Sequence, residues 1–205
     1  MHTDSISFGA IPINKVKIKK YNKLSQTFMD YPANFVKIEA DNKGDLEALD
    51  VVAKKWKGAK YVQQISTSAH WMKDRQIQVY ALTNQSCNFE KLQANNILGL
   101  VEMRTDKNNT NNTLLHYLQV RPLAMNVNQK HKINYKYVGS SIISSLKKIY
   151  KEMSLFSDND IYVEKFYQKN GFVDDFNGSR HYVWSSNIFK MLKQRILKFR
   201  LESGI

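Results

Sequence analysis

The chain is poor in cysteine, in long apolar runs and in acidic residues. With one cysteine, Cys87, among 205 residues, it can form neither an internal disulfide framework nor a thiolate metal site. The histidines lack metal-ligand spacing, so we predict no metal site. The N-terminus lacks a basic stretch followed by an apolar segment, and no run approaches the roughly 20 apolar residues of a spanning helix. We therefore expect a cytoplasmic protein without a secretory signal or a membrane span.

Basic residues are abundant instead. Lysine and arginine number 31 against 18 aspartate and glutamate residues, so the formal charge is +13. Such a charge favours anionic partners, namely nucleic acid, phosphorylated ligands or an acidic membrane surface, and it does not bear on the fold. The hydrophobic fraction of 42% is sufficient for a core. The length indicates one domain, with or without an extension.

Three segments differ in composition. Residues 1–33 are rich in lysine and poor in periodic apolar residues, which indicates a basic, extended arm that either is a solvated tail or contacts an acidic partner. Residues 34–186 form the predicted domain. Residues 187–205 form a basic helix with Ile188, Leu192, Ile196 and Phe199 on one face. That face packs on the domain or, alternatively, contacts a second copy, an anionic membrane surface or RNA.

Periodicity orders the elements of the domain. We predict strands at 35–38, 77–82, 96–104, 113–120, 172–176 and 181–185, with a brief run around Leu155 and Phe156. We predict helices at 45–58 with a cap at Gly44–Asp45, 60–72, 139–153, 160–170 and 187–202. This order implies an α/β or α+β fold with a mixed sheet and helices on both faces.

The sequence KYVGSS at 136–141 stands between a strand and a helix. A helix start presents free backbone N–H groups and a positive dipole end, which bind phosphate well. Gly139 allows close approach, Ser140 and Ser141 add hydroxyl donors, and Lys136 adds charge. The alternative is an ordinary helix start, because neither a P-loop nor a dinucleotide-binding glycine motif is present.

A second motif follows in DIYVEKFYQKNGF at 160–172. Together with KYVGSS, it resembles the GNAT family of N-acetyltransferases, which take an acetyl group from acetyl-CoA. The family's phosphate loop reads Gln/Arg-x-x-Gly-x-Gly/Ala, and its later helix reads Asn-x-x-Ala-x-x-Phe-Tyr-x-x-x-Gly-Phe. Here Lys136 and Asp160 stand at the first position of each motif, while the Phe-Tyr and Gly-Phe pairs match. The resemblance implies a GNAT-like, mostly antiparallel central sheet and acetyl-CoA as co-substrate.

The resemblance also implies roles for individual residues. Backbone groups of Leu118, Gln119 and Val120 would bind the pantetheine arm of CoA, and backbone N–H groups from Tyr137 through Val138, Gly139 and Ser140 to Ser141 would hold its pyrophosphate. Asp160 and Val163 would lie on the CoA side of their helix. Tyr167 would protonate the CoA thiolate after direct attack by a neutral amine, a role that suits a phenol with a pKa of about 10. The alternative role for Tyr167 is core packing, which we assign to Phe166.

A base must deprotonate an ammonium substrate. His116, on the same strand face as Leu118 and Val120, and Glu102, on the preceding strand, are the two candidates. A structural role remains the alternative for both residues.

Three functions are compatible with these features. The first is N-acetyl transfer to a primary amine of a small molecule, a peptide or a protein. The second is a catalytically weak or inactive module that binds CoA or nucleic acid, and the third is acetylation of aminoacyl-tRNA. The sequence does not identify the acceptor.

Overall fold

The computed structural model describes residues 9–73, 76–105, 113–122, 135–175 and 179–203, with only the backbone of Lys198 and Glu202. The strands are β1 Ile11–Asn22, β2 Thr27–Lys37, β3 Ile77–Asn84, β4 Ile97–Thr105, β5 Thr113–Val120, β6 Tyr135–Lys136, β7 Glu152–Phe156, β8 Val173–Asp174 and β9 His181–Ser185. The α-helices are α1 Lys43–Lys55, α2 Val62–Ala69, α3 Val138–Ile149, α4 Ile161–Lys169 and α5 Ile188–Ser203. A single 3-10 turn at Ala94–Asn96 precedes β4.

The chain divides into two compact units. The first unit comprises Met1–Glu102 and Tyr117–Ser145, and the second comprises Met103–His116 and Leu146–Ile205. The polypeptide passes between the units inside β4, β5 and α3, so each of these elements contributes residues to both units.

The first unit contains the strands in the order β6-β1-β2-β3-β4-β5. β1 pairs with β2 antiparallel from Ile11↔Lys37 to Asn22↔Thr27, with one irregularity between Pro12 and Asn14. β2 pairs antiparallel with β3, and β1 pairs antiparallel with β6. A buried cluster joins α1 and α2 to this sheet, and it includes Val36, Leu49, Val52, Ile65, Val79 and Leu100.

Side-chain capping sets the start of α1. The Asn42 side chain accepts a hydrogen bond from the backbone N–H of Asp45 at 2.9 Å, which satisfies one free donor of the first turn. The predicted cap at Gly44–Asp45 is therefore wrong by two residues. The helix ends at Lys55, three residues before the predicted stop at Gly58, and Gly58 has a φ of +78° in the turn that follows.

The second unit contains the strands in the order β5-β7-β9-β8. β7 pairs antiparallel with β9 over Glu152↔Ser185 to Phe156↔His181, and β9 pairs antiparallel with β8. β5 pairs with β7 in parallel at Leu114↔Ser154. α5 contacts β8 and β9.

The predicted fold class is confirmed, because the described part of the chain forms a mixed, mostly antiparallel sheet with five α-helices. Residues 11–33, however, form β1 and most of β2, and this part of the predicted arm is therefore a paired hairpin. α3 ends at Ile149, and Met153, which we assigned to this helix, lies in β7. The domain boundaries at 33/34 and 186/187 stay predictions. Residues 1–8 and the whole loop at 123–134 lie outside the described residues.

Candidate active site

The start of α3 is formed by an unusual backbone at Tyr137. This residue has a φ of +67°, in the left-handed region that few residues other than glycine adopt. Its carbonyl accepts the N–H of Ser141 at 2.9 Å, so the helix begins at Val138 and not at Gly139. The first N–H groups of a helix have no acceptor within it, and the first turn of α3 carries no acidic side chain. The N-terminus of α3 is therefore suited to binding an anion.

Serine side chains attach α3 to β1. The Ser141 hydroxyl donates to the Lys17 carbonyl at 3.4 Å, and the Asn14 amide donates to the Ser145 hydroxyl at 3.2 Å. Ser145 in turn donates to the Ser141 carbonyl at 2.9 Å. The Ser141 hydroxyl is thus engaged with the sheet, whereas we expected it to face a ligand. Its backbone N–H is also engaged, in the first turn described above.

Gly99 in β4 brings the start of α3 close to the end of β5. A Cβ atom at this position would lie 2.8 Å from Ile142 Cδ1, 3.0 Å from Val138 Cγ1 and 3.5 Å from the Gln119 carbonyl oxygen. Only a residue without a side chain fits this space without displacing its neighbours. Gly99 therefore brings together two predicted binding segments, at Gln119 and at Val138.

The end of β5 has an incomplete ladder on one side. Among the described residues, β5 pairs with β7 only at Leu114↔Ser154, so the parallel ladder does not extend to Leu118, Gln119 and Val120. Leu118 and Gln119 are half-buried, and Val120 is exposed. A strand segment without a ladder on one side can accept an extended ligand through backbone hydrogen bonds.

Tyr61, which precedes α2, contacts this segment of β5. Its backbone N–H donates to Gln119 Oε1 at 3.2 Å, and its ring stacks on Tyr117 with centroids 4.9 Å apart. The Lys60 amine lies 4.8 Å from the centre of the Tyr61 ring. The loop between α1 and α2 thereby places an aromatic residue and a cation beside β5.

Lysines cluster near the start of α3. Lys136 Nζ lies 4.0 Å from the centre of the Phe28 ring, and Lys20 Nζ lies 4.7 Å from that of Tyr31 and 6.0 Å from that of Tyr135. Lys136 also stands opposite Lys19 in the β1–β6 ladder. Lys136, predicted to bind CoA, thus shares one face of the β1–β6 ladder with Lys19, whereas Lys20 lies on the other face.

α4 carries the remaining motif, in the second unit. Asp160 caps this helix, since its Oδ1 accepts the N–H of Tyr162 at 2.7 Å. Val163 is half-buried. Gly171 has a φ of +82°, and the Phe172 N–H donates to the Tyr167 carbonyl at 3.1 Å, which confirms the predicted left-handed stop.

Tyr167 lies in an aromatic group. Its side chain is 8% exposed, and its ring centre lies 5.2 Å from that of Phe166 and 5.8 Å from that of Phe172 in edge-on contacts. This packing fixes the ring, and it is compatible with either of the two roles predicted for Tyr167.

Lys147 completes the end of α4. Its amine contacts the Asn170 carbonyl and lies 4.8 Å from the centre of the Trp184 ring. Burial lowers the pKa of this lysine. A cation at the C-terminus of a helix is stabilising, so we interpret Lys147 as a structural residue.

The two candidate bases differ in accessibility. His116 in β5 is half-buried, whereas Glu102 in β4 is fully buried. A fully buried carboxyl group can reach a substrate only after its surroundings move. Within the described residues, no group of three histidine, cysteine, aspartate or glutamate side chains is placed to hold a metal ion.

Each unit contains part of the predicted site. The first contains Glu102, the end of β5 and residues 136–141, and the second contains His116, Asp160, Val163 and Tyr167. Sequence reasoning missed Gly99 and Tyr61. A glycine inside the strand pattern NILGLVEMR signals a close backbone approach and could have indicated Gly99. No local signal predicts the contact of Tyr61 with β5.

Comparisons with known proteins identify similar folds. No family model matches the sequence, and no curated protein matches it. The structure of AtaTR bound with acetyl-CoA is 11% identical, with a TM-score of 0.51 over 78% of this chain and 98% of that chain. A putative GNAT-family acetyltransferase from Desulfovibrio desulfuricans is 10% identical, with a TM-score of 0.47 over 75% of this chain and 98% of that chain.

An acetyltransferase from Thermus thermophilus is also similar. It is 11% identical, with a TM-score of 0.47 over 75% of this chain and 96% of that chain. At such identities the similarity concerns the fold. The chain has a GNAT-like fold, as its sequence motifs predict.

Proposed function

We propose that the protein is an N-acetyltransferase that transfers an acetyl group from acetyl-CoA to a primary amine. The proposal rests chiefly on one observation, the start of α3 packed through Gly99 against the end of β5. That arrangement joins an anion-binding helix end to a strand segment whose ladder with β7 is incomplete. A nucleotide-linked pantetheine requires these two features together.

The residues at the start of α3 fit acetyl-CoA. The N–H groups of Val138, Gly139 and Ser140 belong to the first turn, and Lys136 supplies a cation for the pyrophosphate. The backbone of Leu118–Val120 receives the pantetheine arm. When bound, acetyl-CoA supplies an activated acetyl thioester.

Proton transfers are assigned to three side chains. Tyr167 donates its phenolic proton to the sulfur of the departing thiolate. His116 or Glu102 removes the proton that the amine loses on attack. Of these two, His116 is the more accessible.

Binding of acetyl-CoA is tested by thermal unfolding. The melting temperature should rise with the logarithm of the ligand concentration. At 100 times the Kd, bound acetyl-CoA should add about 2.7 kcal/mol to the free energy of unfolding. An unchanged melting temperature at millimolar acetyl-CoA would contradict the proposed function.

Tyr167→Phe tests the acid role. Loss of a general acid should lower kcat by roughly 100-fold or more and leave the acetyl-CoA-induced shift in melting temperature unchanged. Tyr162→Phe is the matched control, because Tyr162 is on the same helix and is 80% exposed. Equal kcat values for the two variants would refute the assignment.

The acceptor class is tested by release of free thiol from acetyl-CoA. A small primary amine, a lysine-containing peptide and aminoacyl-tRNA are the three substrates to compare. Aminoacyl-tRNA is the second candidate because Lys15, Lys17, Lys19 and Lys136 share one face of the β1–β6 sheet region, where a nucleic-acid backbone can bind. Thiol release with none of the three would favour an inactive CoA-binding module.

A further inference from the structure

α5 exposes a continuous row of large apolar side chains. Ile188, Leu192, Ile196 and Phe199 recur at helical spacing, and Phe189 extends the row on one side. At 3.6 residues per turn these five positions fall within about 100° of the helix circumference. Their exposed fractions are 67% for Ile188, 79% for Phe189, 46% for Leu192, 55% for Ile196 and 66% for Phe199. We name these five residues the apolar stripe.

A different side of α5 packs on its own unit. Met191 Sδ accepts the N–H of Ser185 at 3.2 Å, and Lys190 Nζ lies 2.5 Å from Glu152 Oε2. Both residues lie outside the apolar stripe on the helical wheel. The stripe is therefore not the surface by which α5 is attached to β8 and β9, and such an exposed patch indicates an interaction site.

Cations border the apolar stripe. By helical geometry, Lys193 and Arg200 lie next to one border and Arg195 lies next to the other. The only acidic residue in the sequence of α5 is Glu202, near its end. A second copy of the helix would bring like charges together along both borders, which disfavours a symmetric contact. An anionic surface complements both the stripe and its borders.

We propose that the apolar stripe lies on an anionic lipid surface, with α5 parallel to the membrane plane. A single helix is convex, and a flat lipid boundary receives a convex amphipathic helix without a preformed groove. The side chains of Lys193, Arg195 and Arg200 reach the headgroup phosphates while their aliphatic parts cover apolar surface. None of the described helices is long and apolar enough to cross a membrane.

Vesicle co-sedimentation of the full chain tests the apolar contribution. We expect binding to mixed phosphatidylglycerol and phosphatidylcholine vesicles and none to phosphatidylcholine alone. The double substitution Leu192→Gln/Ile196→Gln should weaken binding by roughly tenfold or more. Leu24→Gln is the control, because Leu24 is 97% exposed and lies in the turn between β1 and β2. It should bind like the unmodified protein.

A second pair of variants separates the contribution of α5 to vesicle binding from that of the overall positive charge. Lys193→Gln/Arg200→Gln should weaken binding by roughly tenfold or more, since each cation near the surface contributes about 1 kcal/mol. Lys15→Gln/Lys17→Gln removes the same charge from β1 and should have a much smaller effect. Equal losses in both pairs would attribute binding to general charge and overturn the proposal.

Two further outcomes would overturn it. One is no binding to anionic vesicles. The other is a dimer in sedimentation velocity that Leu192→Gln/Ile196→Gln converts to a monomer, since a second copy would then cover the stripe. Circular dichroism of each variant checks that the fold is retained. None of these outcomes depends on acetyl-CoA binding or on acetyl transfer.

Discussion

The surroundings of two aspartates on α1 shift their pKa values in opposite directions. Burial raises the pKa of Asp45 to about 6, the nearby Glu39 carboxylate adds to this effect, and the backbone N–H groups of Leu92 and Glu39 oppose it. Burial alone would also raise the pKa of Asp50, but hydrogen bonds from Ser66 and His70 lower it overall. The two carboxyl groups should therefore give the stability of the protein opposite pH dependences.

Asp45→Asn should stabilise the protein at neutral pH. A carboxyl group whose pKa is raised on folding favours the folded state at low pH, and this contribution is lost as pH rises from about 4 to about 6. Asparagine does not ionise, so the variant avoids this loss of stability, and its side-chain oxygen can still accept the Leu92 N–H. We expect a gain of about 1 kcal/mol in unfolding free energy at pH 7.5 and little gain at pH 4, as measured by urea unfolding.

Asp50→Asn is the control for this experiment. It should destabilise the protein at pH 7.5 and have a smaller effect at low pH, because the pKa of Asp50 is lowered on folding. The same sign for both substitutions at neutral pH would contradict the assigned environments.

Residue-level rules identified the region where α3 begins but not the residue with the unusual backbone. We placed the start of this helix at Gly139, because glycine permits close backbone approach. In the structure Tyr137 has a φ of +67°, and α3 starts at the residue after it. Sequence reasoning could not find this position, because tyrosine has no intrinsic preference for the left-handed region.

At the level of elements, periodicity predicted β3, β4, β5, α4 and α5 closely. These elements have either an unbroken run of strand-forming residues or a regular helical repeat. β1 was missed because its lysines alternate with Val16 and Ile18, and we interpreted the charge as that of an extended arm. Its pairing with β2 forms a local hairpin, whereas its pairing with β6 joins residues far apart in the chain. Met153 was misassigned because the apolar spacing of α3 continues by coincidence into β7.

The packing of α3 on β4 depends on Gly99. Gly99→Ala should destabilise the protein by about 1–3 kcal/mol, because the new methyl group overpacks against Ile142 and Val138. It should also weaken acetyl-CoA binding through displacement of the first turn of α3. Unfolding in urea and the acetyl-CoA-induced shift in melting temperature measure the two effects.

A double substitution tests the cause of this effect. Ile142→Val removes the Cδ1 atom that lies 2.8 Å from the new Cβ, at a cost of about 0.5–1.5 kcal/mol by itself. Gly99→Ala/Ile142→Val should then be more stable than the sum of the two single effects predicts. Strict additivity would show that the close approach does not determine the need for glycine at position 99.

At the scale of the whole molecule, the residues of the predicted site are divided between the two units. The sequence motifs identified the start of α3 and the end of α4, whose patterns are local. The contact of Tyr61 with β5 and the role of Gly99 depend on residues far apart in the chain, and no local pattern encodes them. The acceptor could not be predicted either, because the loops that form a binding pocket have no periodic sequence pattern.

The overall charge of +13 predicts a salt dependence of stability. Sodium chloride should raise the melting temperature at low ionic strength, because screening at 0.1 M acts beyond about 10 Å and weakens repulsion among the lysines. Screening also weakens exposed ion pairs such as Lys19–Asp30, whose side chains are 39% and 61% exposed, but such exposed pairs contribute little to stability. We expect a gain of about 1 kcal/mol, or about 2–4 °C, by differential scanning fluorimetry. The gain should be smaller in Lys15→Gln/Lys17→Gln, and a melting temperature that falls with salt would mean that the ion pairs outweigh the repulsion.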